Sequence, residues 1–530
     1  MVKGYLAFVL HLHLPFVRHP EHERFLEEDW LFEAISETYL PLLEVFERLE
    51  REKVGFRLTL SISPTLAEML RDELLQDRYV RHLERLIELA EREVARTRRD
   101  AALGPLASMY LERFRGCLES FNGKYGRNLL GALAGLQKRG LLELITSGAS
   151  HAFLPAIAAV PETVQAQVGV AVRSHIRNFG DYPKGFWLPE CGYYPGVEAF
   201  LKEHDLRYTF LEAHGILYAD RPPRYGVYAP LACPNHVSAF GRDPASARAV
   251  WSSEEGYPGD PVYREFYRDI GFELPLDCLR SFLPDDGLRV NTGIKYYAIT
   301  CPGADKKPYN RKAALRKAEE HAEHFAHARL HQAEQLRPHM DRPPLLVCPF
   351  DAELFGHWWF EGPEWVEALL RRLARGAEKL RMVTPSEYLE HHPEQQEAQP
   401  CFSSWGNKGY AEVWLESSND WVYRHLHKLS ERMLELVRRF PGEKGIRRRA
   451  LNQAFRELLL SQSSDWAFIM KTGTTVPYAM RRTKEHISNF NRIYSGVMEN
   501  DIQQEWLLKL EAKDNLFPEI DYRKFGRARP

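Results

Sequence analysis

Along this chain the apolar residues fall into two patterns. Some form short runs that stop abruptly at polar residues; others recur every three or four positions. The first pattern reads as buried strands and the second as amphipathic helices. Strands are expected at 4–13, 54–61, 142–147, 186–188, 208–211, 345–350 and 381–384, seven in all. Helices are expected at about 30–51 and from 64–77, and helical periodicity then runs almost unbroken to residue 139. That is too much helix for one crossover, so the stretch at about 65–139 reads as a helical excursion. Residues 214–300 are rich in Pro, Gly and aromatics with little helical period, which suits a loop-rich insert over a site. After a linker at 391–400, helices are expected at 421–440, 445–461 and 483–512. Apolar strands alternating with helices point to an α/β fold with a parallel sheet.

The polar residues that end these runs are His11, His13, Glu190 and Asp351. In parallel barrels, chemistry is built at the carboxyl ends of the strands. His11 and His13, in HLHLP at 11–15, share one face of a strand roughly 6–7 Å apart. They suit a metal pair, donors to hydroxyl-rich ligands, or satisfied core histidines. Glu190 ends WLPEC at 187–191, where Pro189 restricts the backbone and Trp187 offers a wall. The segment PFDAELFGHWWFEGP at 349–363 places two acids, a His and two Trp directly after a buried strand. Asp351 is the catalytic candidate there, Trp358 a binding platform, and Glu353 and His357 orient neighbours. His151 follows the third strand. Trp405, beside Gly406 and two Ser, reads as an exposed platform, whereas Trp414 suits core packing or stacking. Asp465 suits a helix cap or a ligand contact, and Arg264, among aromatics at 263–267, a hydroxyl donor or an ion pair.

Composition narrows the function classes. A chain of 530 residues, 44% hydrophobic and 27% charged, is globular and large enough for two or three domains. A formal charge of -2 gives no basis for nucleic-acid or anionic-membrane partners. Seven scattered Cys without a CxxC pair point to reduced thiols in a cytoplasmic protein. The apolar run at 5–10 is too short for a signal segment, and no run approaches the ~20 residues of a membrane span. Dinucleotide, P-loop, nucleophile-elbow and HExxH patterns are all absent.

HLHLP at 11–15, WLPEC at 187–191, PFDAELFGHWWFEGP at 349–363 and SSWG at 403–406 together resemble family 57 of the glycoside hydrolases. The likeness is greatest to that family's α-1,4-glucan branching enzymes and runs the full length, including QSSDWAFIM at 462–470. The resemblance implies an incomplete seven-stranded (β/α) barrel over residues 1–400. It also implies a helical C-terminal domain, 401–530, contributing to the active-site cleft. It implies a retaining mechanism with Glu190 as nucleophile and Asp351 as general acid/base. It assigns substrate contacts to His11, His13, His151, Trp405, Trp414 and Asp465, and requires no cofactor or metal. The expected partner is an α-1,4-glucan, acted on by a monomer. One departure stands out: branching members carry a Tyr on a mobile loop, yet 236–251 contains none, and Tyr257 is the next candidate.

A retaining pair sits about 5–5.5 Å apart, one carboxylate ionised and the other protonated. Burial and the neighbouring charge are expected to raise the pKa of Asp351. Two other readings compete. A metal-dependent polysaccharide deacetylase would use the His pair but has no need of Glu190. A non-catalytic glucan-binding protein would need neither acid. Within the family, 4-α-glucanotransferase and α-amylase share the first half-reaction.

Overall fold

The computed structural model describes residues 2–252, 255–280, 282–283, 287–301 and 304–526. Ten strands form one sheet: β1 (Gly4–Leu12), β2 (Leu58–Ile62), β3 (Leu142–Ser147), β4 (Gly185–Trp187), β5 (Tyr208–Leu211), β6 (Leu231–Ala232), β7 (Ser238–Gly241), β8 (Leu345–Asp351), β9 (Leu380–Met382) and β10 (Gln396–Glu397). The order β8-β1-β2-β3-β4-β5-β7 is parallel throughout, which makes the expected seven-stranded run. Its membership differs at one place. The seventh member is β7, inside the loop-rich stretch, while β9 pairs with the first residues of β1, beside the run. The sheet curls far enough that the Asp243 N–H, just past β7, donates to Val347 O on β8 at 2.9 Å. β6, antiparallel to β7, and β10 extend the β7 edge.

Every residue of β1 is buried, as a strand covered on both faces requires. Register then builds the site. His11 lies opposite Ser61 on β2 and Asp351 on β8, so the carboxyl ends of three strands meet in one layer. Ser63 starts the helix Pro64–Arg71 as N-cap, with Pro at its first position.

The excursion after β2 is helical, led by Glu73–Thr97 and Leu103–Leu118. The helix expected at 30–51 forms, but it is interrupted by a π turn at Ile35–Tyr39. The helix expected at 483–512 is two helices, Val476–Met498 and Gln504–Lys513, with Asn500 at φ 58 between them. The 26-residue helix Arg311–Leu336 lies outside the anticipated elements; it buries mainly alanines. The helices Trp421–Arg439, Gly445–Ser461 and Ser464–Thr472 follow the barrel. All seven cysteines are unpaired. Among the described residues, no helix is long and apolar enough to cross a membrane.

Candidate active site

Glu190 stands in left-handed backbone conformation, φ 61, with Cys191 at φ 48 and His151 at φ 58 close by. Such positions cost about 1–3 kcal/mol each unless their surroundings hold them. Two segments from late in the chain do so. Ser403 pairs with Tyr193 as an antiparallel bridge, and the Trp405 N–H donates to Glu190 O at 3.0 Å. Ser463 pairs with Ala152 in the same way, and the Ser464 N–H donates to His151 O at 2.9 Å.

The same two segments fasten the carboxylate. The Trp405 indole N–H donates to Oε2 and the Ser464 hydroxyl to Oε1, each at 2.7 Å. Bonds of this charge-assisted kind contribute about 1.5–3 kcal/mol each. Burial is the larger effect and pushes the Glu190 pKa up to about 7, with the two donors and His13 opposing it and Asp465 reinforcing it. Trp405 is therefore not the free platform expected from Gly406 and its serines. Its ring lies edge-on to Trp187 at 5.3 Å and its N–H is committed to Glu190.

Asp351 ends β8. Burial first, then the charges of Glu353 and Glu190, raise its pKa well above the ordinary carboxylate value, with Arg242 opposing. The side chain keeps one partly open edge, but the two neighbouring carboxylates push the same way as burial. Two buried carboxyls with raised pKa values, one of them fastened by two donors, can serve as an acid and a nucleophile.

His11, His13 and His151 stack together, with His13 and His151 centroids 3.6 Å apart, and His11 lies flat on Trp187 at 4.6 Å. Asp465 joins through His13 Nε2, at 3.1 Å from Oδ2. Burial opposes charge on His13, but Asp465 together with Glu190 and Glu353 raises the His13 pKa; burial likewise works against the Asp465 anion, but His13 and the Ser463 hydroxyl together lower its pKa. Glu353 accepts the His13 backbone N–H at 3.2 Å and the Tyr39 hydroxyl, so it orients the strand end as anticipated. His357 is bonded to Glu37 Oε2 at 2.7 Å, and the chain passes between them at Gly356, φ +130, where a Cβ would lie 1.9 Å from the Glu37 carbonyl oxygen.

Three expected substrate contacts lie elsewhere or are covered. Arg264 is 3% exposed, 3.5 Å from Glu37 and 3.9 Å over the Phe360 ring, so its guanidinium is spent on an interior ion pair and ring contact. Trp414 is 1% exposed, stacked on Phe153 at 5.2 Å in a small core with Ala411, Val413 and Ala467. Trp358 is 46% exposed, with its ring edge-on to Trp251 at 5.8 Å and only its backbone N–H directed to Glu353 O, at 3.3 Å. Tyr257, the candidate for the mobile-loop Tyr, is buried with its hydroxyl 2.7 Å from His324 Nδ1.

Sequence reasoning missed Ser464, Ser61 and Arg242. Arg242 follows the unanticipated β7, pairs with Glu212 at 3.0 Å and lies over the Trp405 ring at 5.7 Å. His13, His151 and Asp465 present ligand atoms within 4.8 Å of one another. They would hold a cation poorly. His13 Nε2 is paired with Asp465, and both nitrogens of His151 are engaged, by His11 and by Ser464.

Comparison with known families agrees with this site. Residues 7–399 match the model of glycosyl hydrolase family 57, the span that contains both carboxylates. The chain belongs to glycosyl hydrolase family 57. Residues 425–525 of this family 57 chain match a second model, the 1,4-alpha-glucan branching enzyme C-terminal region. The chain is 33% identical to the 1,4-alpha-glucan branching enzyme of Thermococcus kodakarensis, over 97% of its own length and 78% of the relative's. Among solved structures, it is similar to the alpha-amylase AmyC from Thermotoga maritima at 44% identity and TM-score 0.93, covering 99% and 100% of the two chains. It is similar also to the family 57 branching enzyme from Pyrococcus horikoshii at 32% identity and TM-score 0.89, covering 100% and 98%.

Proposed function

We propose that this chain is a retaining 1,4-α-glucan branching enzyme. The observation that carries the chemistry is the pair itself: Glu190 held by two donors, and Asp351 at the end of β8, where burial and the charges of Glu353 and Glu190 push its pKa upward. Glu190 attacks the anomeric carbon, the C1–O4 bond breaks, and Asp351 delivers its proton to the leaving O4. In the second half-reaction, ionised Asp351 takes the proton of an acceptor 6-hydroxyl, which displaces Glu190 and leaves an α-1,6 branch. Of the predicted substrate-binding cluster, the partly exposed His13 and Asp465 form the wall that meets the sugar hydroxyls, while His11 and His151, 1% and 2% exposed with both ring nitrogens bonded, support it from behind. The carboxylate separation follows from the mechanism at about 5–5.5 Å. The chain divides at about residue 400 into a catalytic barrel and a helical region that completes the site. We place the activity in the cytoplasm, in glycogen-type glucan synthesis by a monomer.

Branching over hydrolysis is favoured by the match of residues 425–525 to the branching-enzyme C-terminal model. Hydrolysis is favoured by the likeness to a protein named an alpha-amylase, and by the absence of Tyr from 236–251. Incubation with amylose, with reducing ends counted before and after a debranching enzyme, separates them. New debranchable linkages with few new reducing ends mean branching. Reducing ends that rise without such linkages mean amylase, and redistributed linear chains with neither change mean 4-α-glucanotransferase.

A further inference from the structure

We propose that Ser464 is a positioning residue for the nucleophile, the last link of a directional hydrogen-bond chain, Ser61 to His11 to His151 to Ser464, that ends on Glu190 Oε1. The inference rests on the reading of Glu190 as nucleophile and deepens it.

Counting protons sets the direction of every link. An ionised carboxylate only accepts, so Ser464 donates its one hydroxyl proton to Oε1 over 2.7 Å. The Ser464 oxygen then accepts from His151 Nδ1 at 2.9 Å, which places that ring's proton on Nδ1. Burial, then the charges of His13 and His11, hold His151 well below the usual imidazole pKa, so the ring is neutral and Nε2 is bare. His11 Nε2, 2.9 Å away, is therefore the donor. His11 is kept neutral by burial and by His13, leaving its Nδ1 to accept from the Ser61 hydroxyl at 3.0 Å.

Oε2 faces the Trp405 N–H, a donor, so a proton on Glu190 is placed on Oε1, and there it reverses every link. Its carboxyl would donate to Ser464, Ser464 to His151 Nδ1, His151 Nε2 to His11 Nε2, and His11 Nδ1 to Ser61. Ser61 is fully buried, and among the described residues its side chain meets only His11. The reversed orientation would leave its hydroxyl proton without an acceptor, which is costly in an interior. The chain thus favours the anion. The groups facing Glu190 from the packed elements are His13 on the extension of β1, His151 after β3, Asp351 on β8, Tyr423 on Trp421–Arg439, Asp465 on Ser464–Thr472, and Cys191 beside it. Of these, His151 alone shares a hydrogen-bonded residue, Ser464, with the carboxylate, so the effect is separable from general electrostatics.

The test is the pH dependence of kcat/KM, read with a chromogenic maltooligosaccharide donor, for S464A, S464T and S61A in the full chain. Ser464→Ala is expected to move the acid limb to higher pH by about one unit. Ser464→Thr is expected to restore it, and Ser61→Ala to move it the same way by less. A loss of equal factor at every pH in S464A, or an unmoved limb in S61A, overturns the chain. If S464A does not fold, the S61A limb decides. Trapping the wild-type glycosyl-enzyme with a 5-fluoroglucosyl fluoride and mapping the labelled peptide tests the underlying reading separately. A label away from Glu190 overturns that reading, whereas a label on Glu190 with unmoved limbs overturns only the chain.

Discussion

Trp405 and Glu190, 215 positions apart in sequence, are joined twice: the indole N–H reaches Oε2 at 2.7 Å, and the Trp405 backbone N–H reaches the Glu190 carbonyl at 3.0 Å. Trp405→Phe keeps an aromatic ring and the backbone bond, and removes the indole N–H along with some packing against Trp187. It is expected to lower kcat/KM about 10- to 100-fold, the equivalent of a charge-assisted hydrogen bond. Cleavage and transfer should fall in equal proportion, because the nucleophile serves both half-reactions. A deficit confined to transfer, measured from branch points per reducing end, would return Trp405 to the role of acceptor platform.

Glu190→Gln and Asp351→Asn are each expected to lower turnover at least ~10³-fold while glucan binding survives, since covalent and acid catalysis fail separately from binding. Turnover and affinity electrophoresis in glycogen gels check both halves. Near-normal turnover in either variant would defeat the assignment.

The pH profile follows from the two carboxyls. Burial raises Glu190 to about 7, and the nucleophile must be ionised, so kcat/KM should fall as pH drops through that value. Asp351, raised by burial and two neighbouring charges, must be protonated, so activity should fall again as pH rises through its raised pKa. The expected result is a bell with its acid limb near neutrality. A flat profile from pH 5 to 7 would be incompatible with it.

Arg264→Ala should act on stability and not on affinity for glucan. It removes the guanidinium beside Glu37, and breaking a buried ion pair from one side costs about 3–5 kcal/mol. Denaturant unfolding should show that loss, with KM within about twofold for the protein that folds. A KM effect without a stability effect would show that Arg264 binds sugar after all.

Gly356→Ala tests the turn that carries His357 to Glu37. A side chain there meets both an unfavourable φ and a backbone oxygen 1.9 Å away. A loss of at least about 2 kcal/mol is expected, along with weakened catalysis as Glu353 loses its place under His13. Unchanged unfolding would mean that the π turn at Ile35–Tyr39 yields to accommodate it.

Much of the fold was legible because buried parallel strands are nearly all apolar and end on polar residues, as β1 and β8 do. β7 was not, since Ser-Ala-Phe-Gly offers one bulky side chain in four, and Arg242 behind it was lost with it. The helix Arg311–Leu336 buries alanines, a stripe too weakly apolar to show in the pattern. At the site, Glu190, Asp351 and the histidines were visible as polar ends of apolar runs. Ser464 carried no such signal: a hydroxyl beside another hydroxyl at a helix start looks like any cap, and its meeting with Glu190 is tertiary. The aromatics beside Arg264 in sequence misled for another reason: the ring on its guanidinium is Phe360, from a different segment. Rings that stack on sugars also stack on guanidinium groups, and only burial tells the two apart.

The order in which the polypeptide is made gives the two late donors a further meaning. Ser464 lies 274 residues after the carboxylate it contacts. At a synthesis rate of about 5–20 residues per second, that interval lasts roughly 15–55 s. Throughout it, Glu190 has left the ribosome while Ser464 has not; Trp405, 215 residues after Glu190, emerges earlier. On the proposed roles, a nascent chain lacks a fastened nucleophile until the segments carrying Trp405 and Ser464 have been made and have closed on Glu190.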